Sequence, residues 1–231
     1  MGNILISALA FAAVTLASTA RAETRFGVEV DRLELHVGEG PEHFLFDSTF
    51  TLGTDTQGLV VKVEGGSDVG AHIDEVGAQA LYARSVTDTV RVMVGAGNQF
   101  RSGEDLSFAS LAVEAEPFPG LEAEHYFFLS EHGDLTGAAQ LVYGVDLPAG
   151  ITLEPRAALG WSAQDVPAEE LASGISEFEL SLRVRKQLLP PLNGYIGVAR
   201  EELAGGTRDI ARANGDETGI TRAIVGIGLE F

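Results

Sequence analysis

Histidine is the residue type in this chain best able to hold a metal ion, and four of the five histidines have acids as neighbours. His36 comes just before Glu39 and Glu42, His43 follows Glu42, His72 lies between Asp68 and Asp74, and His132 lies between Glu131 and Asp134. Imidazole suits copper and zinc, and nearby carboxylates add charge and oxygen ligands. No two histidines stand at His-x-His or His-x-x-x-His spacing, so a site must be gathered from separate segments. His125 is different, set in the apolar run His125-Tyr126-Phe127-Phe128-Leu129. With no cysteine, thiolate sites, disulfides and a cysteine nucleophile are excluded. Ser130, His132 and Asp134 lie close enough in sequence to suggest hydrolase chemistry, but no oxyanion-hole pattern accompanies them. The glycine pairs at 65–66 and 205–206 lack the Lys and Ser/Thr that complete a phosphate loop.

The elements that must carry these residues alternate with period two. Phe44, Phe46, Phe50 and Leu52 share one parity, against Asp47, Thr49 and Thr51 on the other. Phe178, Leu180, Leu182 and Val184 alternate with Glu177, Glu179, Arg183 and Arg185. Such alternation, punctuated by Gly, Pro and Asp, predicts strands. Twelve segments result, near residues 27–37, 43–54, 58–65, 71–84, 88–98, 106–116, 121–130, 134–146, 151–163, 174–187, 193–202 and 217–231. Ten-residue strands in even number match a transmembrane β-barrel. Every second link is short (Asp55–Gln57, Ser85–Thr87, Pro117–Gly120, Leu147–Gly150, Leu188–Leu192), while Asn98–Asp105, Gln164–Ser173 and Leu203–Asp216 are the longest. Short periplasmic turns at one rim and long extracellular loops at the other are the outer-membrane asymmetry. The expected fold is therefore all-β, an antiparallel transmembrane β-barrel of about 12 strands, and Phe231 ends its last strand. A soluble β-sandwich also alternates, but it does not account for the link asymmetry.

Residues 1–22 read as a signal peptide: an apolar stretch from Ile4 to Thr19 followed by Ala20-Arg21-Ala22, leaving residues 23–231 as the barrel domain. Acids outnumber bases 34 to 15, a net charge of −19, so a nucleic-acid partner is excluded. A charge facing lipid at mid-bilayer costs about 2–4 kcal/mol, so the charged parity must face inward. That places Glu34, Lys62, Glu75, Arg91, Glu114, Glu122, Glu124, Glu154, Arg156, Glu177, Glu179, Arg183, Arg185, Glu201 and Arg222 in a narrow, crowded lumen of paired charges. Parity directs His125 towards lipid and Met93 inward. His36, His43, His72 and His132 fall near the long-loop rim and form the candidate metal set.

Several strings resemble the copper resistance protein B family: Gln79-Ala80-Leu81-Tyr82-Ala83-Arg84, Leu153-Glu154-Pro155-Arg156, the run from Ile175 to Arg185, Tyr195-Ile196-Gly197-Val198 and Gly206-Thr207-Arg208-Asp209. The tail from Ala211 through Thr221-Arg222 to Phe231 is similar to the family's closing strand. The resemblance covers nearly the whole mature chain and is densest from Gln140 onward. It implies an outer-membrane protein of Gram-negative bacteria that binds copper ions transiently in copper tolerance and homeostasis, with no reaction catalysed. Outer-membrane lipid and copper ions are the implied partners, with room for periplasmic copper-handling proteins at the short-turn rim. Family members commonly carry a Met- and His-rich N-terminal segment; here Glu23 to Gly27 leads directly into the first strand, so rim histidines would take its place. The alternatives are a structural or small-solute barrel without metal function and an outer-membrane lipid hydrolase.

Overall fold

The computed structural model describes residues 23–70 and 75–230; the proposed leader, His72, Asp74 and Phe231 lie outside them. Thirteen strand segments run in chain order: β1 (Arg25–Gly38), β2 (His43–Gly53), β3 (Gln57–Asp68), β4 (Glu75–Ser85), β5 (Val90–Arg101), β6 (Leu106–Phe118), β7 (Leu121–Ser130), β8 (Leu135–Tyr143), β9 (Val145–Leu147), β10 (Ile151–Ser162), β11 (Gly174–Leu189), β12 (Leu192–Leu203) and β13 (Gly219–Glu230). β8 and β9 pair with successive parts of β10 and form one crossing interrupted at Gly144. The wall thus has twelve crossings, all antiparallel. β13 pairs with β1, so the sheet closes and no edge remains. Closure satisfies every crossing's backbone groups without water, the condition for a sheet in hydrocarbon. Among the described residues, no helix is long and apolar enough to cross a membrane.

The outward parity is a belt of exposed apolar side chains that includes Val94 (55%), Leu180 (56%), Ile196 (63%) and Val225 (53%). So much apolar surface on a soluble protein would drive association; on a barrel it is the lipid face. β1 keeps its apolar residues outward by a device the strand ranges did not foresee. Val30 pairs with Ser48 and Arg32 with Asp47, which leaves Asp31 as the extra residue of a β-bulge. The bulge flips the parity, so Phe26 below it and Leu33 and Leu35 above it all face out.

The interior has two unlike walls. From β3 to β7, Val60, Leu81, Ala83, Met93, Ala112 and Tyr126 form one buried apolar cluster, with Leu81 and Met93 fully buried. Around β1 and β10 to β13 the interior is filled by paired charges and by the small cluster of Tyr195, Ala199 and Ile224.

The link from β12 to β13 departs from expectation. Read as a long polar loop, it holds a helix, α1 (Gly205–Asn214), closed by Gly215 at φ 88°. Ten residues are too few to display a clear 3.6-residue period, and the left-handed glycine ends the helix. The Ala172 N–H donates to Thr207 Oγ1 at 3.0 Å, tying α1 to the β10–β11 link.

Candidate functional site

Two cavities occupy the lumen end to end, an outer one of about 750 Å³ towards the long loops and an inner one of about 690 Å³ towards the short turns. Asp47, Lys62, Glu124, Gln140 and Arg156 line both and mark the waist between them. The outer wall carries nine carboxylates against four Lys or Arg, and the inner wall nine against five. Carboxylates in excess along low-dielectric walls raise the local cation concentration.

Of the candidate histidines, His43 lines the outer chamber, and His36 is buried in the wall beside it, next to Glu201, which lines the chamber. The β1–β2 register sets His36 directly opposite His43, so both point inward at one level. His36 is 1% exposed; its Nε2 lies 2.8 Å from Glu34 Oε2, and its Nδ1 has no hydrogen-bond partner and lies 3.9 Å from Glu201 Oε1. His43 Nδ1 lies 3.1 Å from Asp68 Oδ1. A carboxylate on one ring nitrogen fixes the tautomer and sharpens the other nitrogen as a donor, the arrangement found behind metal-bound histidines. His132 is not brought to this pair. It sits exposed on the β7–β8 link, across the barrel from β1 and β2, and its backbone N–H donates to Ser130 Oγ at 3.2 Å. Among the described residues, no group of three or more His, Asp or Glu is gathered closely enough to enclose a metal ion.

Around this pair the charges interlock. Arg183 Nε donates to Glu34 Oε1 at 2.8 Å, and Arg222 lies 3.9 Å from Glu201. Arg185 donates to both oxygens of Glu154, at 2.8 and 3.0 Å. The bulged Asp31 stands 3.7–3.9 Å from Arg185, Arg156 and Arg32. At the waist, Lys62 reaches from β3 across to β7, donating to the Tyr126 hydroxyl at 2.8 Å and lying 3.7 Å from Glu124. Glu124 also accepts from Gln140 at 2.9 Å, and Gln140 accepts from Arg156. Arg91 lies 3.7 Å from Glu114 below the waist, where Glu122 also lines the inner cavity. Glu177 and Glu179 line the outer cavity, while Glu75 accepts from Gln99 near the rim.

Sequence reasoning missed Asp31, Arg32 and the two lumen tyrosines, left Asp47 out of the lumen set, and read Asp68 as a neighbour of His72 rather than as the partner of His43. The bulge had a signal: the apolar parity runs Phe26, Val28, Val30 and then switches to Leu33, Leu35, Val37 across adjacent charges. Ser130 also has its answer, since its hydroxyl accepts the N–H groups of His132 and Asp134 and donates to Asp134 Oδ2, a cap for the turn. His125 faces outward as parity requires. It stacks on Phe127 at 4.3 Å, and its Nε2 accepts the Trp161 indole N–H at 3.0 Å.

Comparison with known proteins decides the lineage. Residues 24–231 match the family model described as "Copper resistance protein B precursor (CopB)". The chain belongs to this family. Among curated CopB relatives, it is 26% identical over 201 residues to the copper resistance protein B homolog of Pseudomonas syringae pv. tomato (strain ATCC BAA-871 / DC3000), covering 87% of this chain and 68% of that one. It is 25% identical over 190 residues to copper resistance protein B of Escherichia coli, covering 82% of this chain and 64% of that one. The chain thus spans about two-thirds of these relatives. Among solved structures it is similar to the NanC porin, with a TM-score of 0.56, 11% identity, and coverage of 90% of this chain and 100% of that one. It is also similar to the KdgM porin, with a TM-score of 0.52, 10% identity, and coverage of 89% and 99%. At such identities the porins speak for the barrel fold alone. A CopB chain folded as a closed barrel with an apolar outer belt is an outer-membrane protein.

Proposed function

We propose that this CopB barrel serves copper tolerance by binding copper ions, as cargo, in its acidic outer chamber. The observation that carries the reading is the His36–Glu201 pair: a buried imidazole nitrogen without a hydrogen-bond partner, 3.9 Å from a carboxylate oxygen. Metal–imidazole and metal–carboxylate bonds to a divalent transition ion are each about 2.0–2.2 Å, so the gap matches one ion held between the two groups. Two protein donors with water completing the shell make a labile site, suited to holding cargo briefly. His43 with Asp68 offers a second donor pair on the same level, and His72 and His132, on separate long links, are proposed as further ligands apart from this pair, His132 on the opposite side of the rim. The role is one of binding rather than catalysis, and residues 1–22 are its export leader.

The test is growth of a deletion strain across a copper series, rescued from a plasmid. The wild-type chain is expected to restore tolerance, and the His36→Asn/Glu201→Gln variant to restore it only in part, at equal levels in the outer membrane. Failure of the wild-type gene to restore growth would overturn the copper role; full rescue by the variant would overturn the site.

A further inference from the structure

We propose that Lys62 is the bolt that closes the lumen, so that the barrel is a two-chambered vessel open at each end rather than a through-pore, and that Lys62 sets what can pass the waist. The argument starts from length and reach. Lys62 stands on β3 and its contacts stand on β7, four strands around the wall, so the side chain spans the interior instead of lying along it. Its ammonium is fixed from two sides, by the Tyr126 hydroxyl and Glu124, and sits 4.9 Å from the centre of the Tyr126 ring. Beyond the bolt, the chain Glu124–Gln140–Arg156 runs along β7, β8 and β10, and Asp31 on β1 carries it on, standing 3.8 Å from Arg156 and 3.9 Å from Arg32, which holds Asp47 on β2.

Charge reinforces the closure. A cation drawn into either acidic chamber meets an ammonium and a guanidinium at the waist. The two waist carboxylates are already engaged, Asp47 by Arg32 at 3.2 Å and Glu124 by Lys62 and Gln140. The chambers therefore concentrate cations that the waist turns back. Pores select through such rings of fixed charge at a constriction. The apolar cluster of Val60, Leu81, Met93 and Tyr126 packs beside the bolt and stiffens the wall it crosses from. This inference goes beyond the copper reading and is tested with potassium chloride, so the two can fail separately.

The experiment is planar-bilayer conductance of the detergent-refolded mature chain, with folding checked by circular dichroism. Wild type is expected to show little stepwise current. Lys62→Ala should raise conductance at least about fivefold, the factor one unit charge at 4 Å exerts on a monovalent ion in water, and should show cation selectivity in a salt gradient. Tyr126→Phe with Glu124→Gln keeps Lys62 but removes what holds it, and should also raise the current if Lys62→Ala folds poorly. Open channels in wild type equal to those of the variants, or closed channels in both folded variants, would overturn the proposal.

Discussion

One lumen contains two kinds of interior. The wall from β3 to β7 is held by burial, with Leu81 and Met93 fully enclosed among Val60, Ala112 and Tyr126. The wall around β1 and β10 to β13 is held by charge, with Glu34 fully buried between Arg183 and His36, and Arg185 clasping Glu154. Both walls come from the same alternation and both point away from lipid. The difference teaches that period-two patterning assigns the face but not the chemistry of that face. On the apolar wall each side chain is stabilised by leaving water. On the charged wall stability depends on partners being present, because an ion left alone in a buried site costs far more than a matched pair gains. A buried polar atom without a partner therefore stands out on the charged wall, and His36 Nδ1 is one such atom.

The comparison can be broken by substitution, read as unfolding free energy of the chain refolded in lipid vesicles and titrated with urea. Glu34→Ala strands Arg183 and His36 and is expected to cost about 3–5 kcal/mol, whereas Glu34→Leu with Arg183→Met should recover most of that loss. A double variant as unstable as the single one would mean that the pair itself, not the stranded partner, carries the stability. Leu81→Ala, on the other wall, should cost about 3 kcal/mol through lost burial and a cavity. Gly137→Ala probes the outer face: a methyl built there would run into the Trp161 ring, which lies across that glycine to reach His125. A loss of about 1–3 kcal/mol is expected, together with a shift in the fluorescence of Trp161, the single tryptophan. An unchanged spectrum would mean that the ring does not lie over Gly137. The smallest effect belongs to Arg25→Ala at the short-turn rim, whose pair with Asp55 is exposed on both sides; a change under about 1 kcal/mol is expected.

Much of this barrel was legible in the sequence, and the reasons are local. Each lipid-facing row announces itself, because every second residue of segments such as 178–184 must be apolar. Link lengths separated the two rims. The bulge at Asp31 was written only as a change of parity across two charged residues, and the helix α1 was too short for its period to emerge. The site was the least legible part. That His36 faces His43 follows from register across a hairpin, and that Glu201 approaches His36 depends on β12 and β1 both flanking β13, a contact between residues 165 positions apart. His132 looked equivalent to His36 in sequence, beside acids near the same rim, yet barrel closure sets the two across the lumen from each other.

The most direct test of the copper account is calorimetric titration of the detergent-refolded mature chain with copper, beside a variant carrying His36→Ala, His43→Ala, His72→Ala and His132→Ala. Saturable binding by the wild-type chain that disappears in the variant is the predicted result. Equal binding by both, or none by either, would contradict a copper site in the outer chamber.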